Sequence, residues 1–203
     1  MTYDILASEE AINKAAAALI AKKYVVSVVQ DKAAALAKLK EMIPAGASVM
    51  TGGSVTLDEI GLTDLLKSGK SGWINLKEGI FSEKDQARQM KLRKEASMAD
   101  YYLASAHALT EDGIIVQASF SGSQIPAFAM LSPHAVLVAG CQKIVPTEAE
   151  AIKRVKEYSL PMEDKRQKSI GNAGSAINKL LIAYGDMFPG RLTVILVKEK
   201  LGF

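Results

Sequence analysis

Short apolar runs recur along this chain, and along most of its length they alternate with stretches of helical spacing. Tyr24–Val29, Val49–Met50, Ala99–Ser105, His134–Gly140 and Leu192–Val197 are short and carry little charge, Tyr24–Val29 is β-branched and Ala99–Ser105 holds two adjacent tyrosines, which suits buried strands. Between them, residues 8–22 set an alanine-rich face among Glu9, Glu10, Lys14, Lys22 and Lys23. Lys32–Met42 follows a cap at Asp31 and ends before Pro44 and Gly46. A helix is also expected from Thr56 to Lys67, with Thr56 and Glu59 at capping-box spacing. Further helices are expected over Phe81–Ala99, over Glu148–Ser159 with Pro161 as its stop, and over residues 163–184 with a break near Gly171–Gly174. The alternation predicts an α/β fold with a mainly parallel sheet flanked by helices. A chain of 203 residues is long enough for one such domain, taken here as residues 1–203, with residues 1–22 as a peripheral N-terminal helix.

In parallel sheets, ligands gather at the carboxyl ends of strands. Three loop regions fall there: Thr51–Thr56, Thr110–Gly113 together with Ser119–Gln124, and Gly140–Lys143. In the first, an apolar run ends in Thr51-Gly52-Gly53-Ser54 and passes straight into a helical pattern at Thr56. Unpaired backbone amides and hydroxyls at such a junction suit a phosphate or carboxylate. Thr51, Gly52, Gly53, Ser54 and Thr56 are therefore candidate ligand-binding residues, joined by Thr110, Gly113, Gly122, Gly140 and Lys143, the last as a cation for an anionic group. Glu59, Glu111 and Asp112 are the candidate general bases or nucleophiles, against which stand a capping role for Glu59 and a solvated turn for the other two. Ser68-Gly69-Lys70-Ser71-Gly72 has the wrong glycine spacing for a phosphate loop and follows a helix, so it reads as a turn.

Other chemistry is excluded by composition. Cys141 is the single cysteine and His107 and His134 the two histidines. No metal-ligand spacing exists, no internal disulfide can form, and no cofactor is implied. Arg154 is read as a surface or salt-bridge residue and His107 as a hydrogen-bonded structural one. The net charge of +3, spread among acids, does not call for nucleic acid. No apolar run reaches membrane-spanning length, and Met1-Thr2-Tyr3-Asp4 does not begin a signal peptide, so a cytoplasmic protein is expected. Whether it forms a homo-oligomer is left open.

The ordered pieces Val49–Leu62, Ala99–Leu103, Ala108–Gly113, Val136–Val145, Glu150–Val155 and Val194–Phe203 resemble the LUD-domain family, of the lactate utilisation protein C type. Two segments depart from its pattern. Ser119–Gln124 stands where the family usually has Asp-Gly-x-Gly-Asn-Arg, and Met162–Pro189 lacks the cysteine-rich stretch that many members carry. The resemblance implies the fold shared by CoA transferases, ribose-phosphate isomerases and glucosamine-phosphate deaminases. It further implies a cytoplasmic part in oxidising L-lactate to pyruvate beside iron–sulfur protein partners. The alternatives are a stand-alone enzyme of the same fold acting on a phosphosugar or acyl-CoA, or a non-catalytic subunit binding an anionic small molecule.

Overall fold

A computed structural model describes residues 3–203; Met1 and Thr2, where the expected N-terminal unit begins, lie outside the described residues. Six strands form one wholly parallel sheet in the order β1 (Val25–Val29), β10 (Leu192–Val197), β7 (His134–Gly140), β4 (Tyr101–Ala104), β2 (Ser48–Thr51) and β3 (Ile74–Asn75). Helices lie on both faces, as the alternating pattern requires. The central strands show why their sequences read as continuous apolar runs. Leu192, Val194 and Leu196 of β10 pack with Ala135, Leu137 and Ala139 of β7 in one core cluster, whereas Ile195, Val197, Val136 and Val138 pack in another. Both faces are buried, so both sets of alternating side chains must be apolar. β1 departs from its expected burial. As the edge strand it leaves Val25 and Val28 exposed, because no element covers that side.

A second sheet has the order β8 (Ile144–Val145), β5 (Ala108–Thr110), β6 (Ile115–Ser119) and β9 (Lys179–Ala183), and its β6 is the strand that Ile114–Gln117 predicts after the Thr110–Gly113 turn. Its β5–β6 and β6–β9 pairs are antiparallel. β9 lies inside the segment expected to be helical. Leu180-Leu181-Ile182 suits either state by pattern, and the free edge of β6 selects strand.

The helices are α1 (Glu9–Ala21), α2 (Lys32–Met42), α3 (Val55–Glu59), α4 (Leu62–Lys67), α5 (Leu76–Ser82), α6 (Gln86–Glu95), α7 (Glu148–Arg154) and α8 (Leu160–Ser169). α1 places Ile12, Ala15 and Leu19 in the core. Three helical expectations need correction. The Thr56–Lys67 helix is split at Gly61, whose φ of 82° is left-handed, and Ser54 rather than Thr56 caps α3 by accepting the Leu57 amide. The Phe81–Ala99 helix is two helices, because Asp85 accepts the Arg88 amide and starts α6 afresh. Pro161 does not stop the helix at Ser159. Val155–Ser159 forms a π turn, so the hydrogen bond that proline cannot donate falls where the ladder changes register, and the chain continues through α8 to Ser169.

Candidate functional site

Three neighbouring strands of the large sheet, β2, β4 and β7, send their carboxyl ends to one place. Gly53–Thr56 follows β2, Ser105–His107 follows β4 and Lys143 follows β7, and all of them line a cleft of about 510 Å³. The opposite wall comes from the π turn and α8, including Ser159, Glu163 and Arg166, and from the Asn172–Ile177 loop. Ser119, Ser121 and Gln124 close one side, so the loop that departs from the family pattern borders the cleft.

Lys143 is the centre of the site. It is 2% exposed, and its Nζ donates to Thr56 Oγ1 at 2.9 Å and to Ser105 Oγ at 3.0 Å. Thr56 in turn can donate to the Leu201 carbonyl, and Ser105 to Thr56 or to the Ala106 carbonyl, so both hydroxyls turn lone pairs toward the amine. No carboxylate lies within salt-bridge distance of Lys143 among the described residues. Burial, with repulsion from Arg154, lowers its pKa to about 7, against a smaller opposing pull from Glu59.

Arg154 is fully buried, which overturns its reading as a surface or salt-bridge residue. Its guanidinium donates to the His107 carbonyl, to Ser159 Oγ at 3.0 Å and to the Tyr3 carbonyl at 3.4 Å, and lies over the Tyr158 ring at 5.1 Å. Its Nε has no partner, and no carboxylate pairs it among the described residues. Burial lowers its pKa to about 10. His107 has Nδ1 within 3.2 Å of the Ala118 amide and of Gln117 Oε1. Enclosure, together with the charges on Lys143 and Arg154, lowers its pKa to about 4, so the ring is neutral at pH 7. Glu163 is held below the usual carboxylate range: burial works against this, but hydrogen bonds from Arg166 and Gln167 outweigh it.

The structure separates the sequence candidates. Gly53, Ser54, Thr56 and Lys143 come together in the cleft. Thr51 and Gly52 border a smaller neighbouring cavity of about 140 Å³ with Gly53, Gln124, Lys77 and Arg93. Of the glycines, Gly52 gives its amide to the Leu103 carbonyl, and a Cβ there would strike Gln124. Gly53, unlike Gly52, faces open space. Because α3 has five residues and Ser54 takes one of its first amides, Lys143 rather than a helix end supplies most of the positive charge.

The remaining candidates lie elsewhere. Thr110, Glu111, Asp112 and Gly113 form a turn against α1, where a Cβ on Gly113 would stand 2.8 Å from the Ala18 backbone. Thr110 Oγ1 bonds Asp112 and accepts the Ile114 amide, while Glu111 pairs with Lys14 at 2.9 Å. Glu59 Oε2 accepts the Gly202 amide at 2.7 Å, and Gly140 makes room for the Glu199–Leu201 backbone. Gly122 sits beside the Lys179 side chain. Sequence reasoning passed over Ser105, His107, Arg154 and Glu163 as site residues. A Ser-Ala-His sequence directly after a strand was the one signal available, whereas Glu163 reaches the cleft from α8, and Arg154 lies behind the cleft wall, donating to the His107 carbonyl and to Ser159.

The comparisons agree with this architecture. Residues 12–197 match the family model described as the LUD domain. A crystal structure of a DUF162 family protein from Deinococcus radiodurans superposes with a TM-score of 0.56 at 15% sequence identity, covering 95% of this chain and 99% of that one, which shows a common fold. No protein of curated function matches the sequence. With the family model covering nearly the whole chain and the parallel sheet in place, this protein belongs to the LUD-domain family.

Proposed function

We propose that the cleft binds a small organic-acid anion, and that the protein is a substrate-handling subunit in the cytoplasmic oxidation of L-lactate to pyruvate, beside iron–sulfur partner proteins. The observation that carries this reading is the pair of buried cations, Lys143 lining an open cleft and Arg154 behind it, neither matched by a carboxylate among the described residues. Burying cations is costly, and an arriving carboxylate would recover part of that cost in a medium where charges interact strongly. Gly53 leaves space for the ligand, and Ser54 and Ser105 offer hydroxyls beside it. The chain's single cysteine is buried, so electrons from lactate would be received by a partner.

The cleft volume favours a second reading, a phosphosugar or acyl-CoA ligand, since about 510 Å³ exceeds what a three-carbon acid fills. Thermal-shift measurements with L-lactate, pyruvate, sugar phosphates and CoA esters separate the two. Stabilisation by lactate or pyruvate that is lost in Lys143→Met supports the first reading. Shifts confined to phosphorylated compounds support the second, and no shift with any anion overturns both. Affinity capture from lactate-grown cells tests the partner claim, which fails if no iron–sulfur protein is recovered.

A further inference from the structure

The Lys143 amine is arranged as a nucleophile rather than only as a point charge. A neutral amine has two N–H bonds and one lone pair. Here two donors are already spent, on Thr56 Oγ1 at 2.9 Å and Ser105 Oγ at 3.0 Å, and both acceptors are uncharged. The lone pair is the position left on the nitrogen, and Lys143 lines the cleft. A structural lysine in a core normally meets a carboxylate that fixes its charge. This one meets hydroxyls, with a second buried cation, Arg154, close enough to repel it. Desolvation and a neighbouring cation are the two means by which lysines are made nucleophilic toward carbonyl carbon.

We infer that Lys143 forms a reversible imine with a 2-oxo acid bound in the cleft. The inference rests on the organic-acid reading above: buried Arg154 supplies positive charge behind the cleft, and the Lys143 amine, when uncharged, meets the carbonyl next to the ligand's carboxylate. The Nζ lone pair adds to the carbonyl carbon, and the carbonyl π electrons move to oxygen, which takes up a proton. The resulting carbinolamine loses that oxygen as water together with the second nitrogen-bound hydrogen, leaving C=N. Nothing is oxidised or reduced. The Ser105 hydroxyl, in contact with Nζ, is the group placed to pass protons. The lowered pKa provides free amine near neutral pH, with Arg154 favouring and Glu59 opposing deprotonation.

The test incubates the full-length protein with pyruvate and sodium cyanoborohydride, then maps reduced adducts by peptide mass spectrometry. The expected result is an adduct concentrated on the Lys143 peptide at pH 7 and lost in Lys143→Arg, with the other lysines unmodified. Surface-wide labelling with no preference for Lys143 overturns the inference, whether or not the variant folds, because the mapping is made on the wild-type chain. A thermal shift with pyruvate but no adduct overturns the imine and leaves the binding site standing. No shift and no adduct removes both.

Discussion

Lys143 Nζ lies 2.9 Å from Thr56 Oγ1, which ties the segment after β7 to the first turn of α3 and draws two strand ends into one site. Thr56→Val keeps the shape but removes that acceptor, and with it the hydroxyl's contact to the Leu201 carbonyl. Stability should fall by about 1–3 kcal/mol, as expected for a buried hydrogen-bonded hydroxyl, and urea unfolding measures it. Organic-acid binding should weaken in the same variant.

Gly53→Asp separates folding from binding. No atom lies within 4 Å of a Cβ at this position and its φ is not left-handed, so the fold should tolerate the change, with a urea midpoint close to wild type. A carboxylate placed at the cleft should nevertheless abolish the thermal shift given by any anion. Retained binding would remove Gly53 from the site.

Gly113→Ala should do the reverse. Its φ of 79° is left-handed, and the added Cβ would meet the α1 backbone at 2.8 Å, so a loss of about 2 kcal/mol or more is expected. Ligand affinity should be unchanged. Glu111→Gln loses only an exposed pair with Lys14, and should leave both stability and binding close to wild type. Altered affinity in either variant would return the Thr110–Gly113 turn to the functional site.

Buried Lys143 and the largely enclosed His107 both contribute to the pH dependence of stability. His107 has a pKa of about 4 in the fold against 6.5 when unfolded. Between those values the unfolded chain holds a proton that the native state lacks, so stability rises with pH across that window and falls by roughly 3 kcal/mol toward its acid end. Lys143, at about 7 against 10.5, acts in the same sense: stability is lowest below pH 7 and rises from there toward pH 10. Urea midpoints across pH 4–10 test both slopes, and Lys143→Met should flatten the alkaline one. With two histidines in the chain, proton NMR should find one ring that does not titrate between pH 5 and 8.

Glu59 has a positioning part through the C-terminal segment. Glu59→Ala frees the Gly202 amide and should loosen the wall formed by Phe203, weakening ligand binding, while Glu59→Gln retains an acceptor and should preserve it. If Glu59→Gln abolished all ligand-dependent chemistry while leaving affinity intact, the carboxylate itself would be the acting group.

The parallel sheet was legible in the chain because its central strands are buried on both sides, which leaves their alternating positions no choice but apolar residues. His134–Gly140 and Leu192–Val197 were read to the residue for that reason, and the cap at Asp31 placed α2 equally well. The bend at Gly52–Thr56 and the lysine beyond β7 were legible too, because small residues and a cation at strand ends are local facts. Tertiary structure decided the rest. Whether Leu180–Ile182 became helix or strand depended on the open edge of β6, and Pro161 ended nothing once a π turn preceded it. Arg154 looks like an ordinary surface cation in one dimension, and nothing local marks Lys143 as buried. Their burial arises only when Thr56 and Tyr3, 87 and 151 residues away in the chain, close over them, and local sequence carries no record of so distant an encounter.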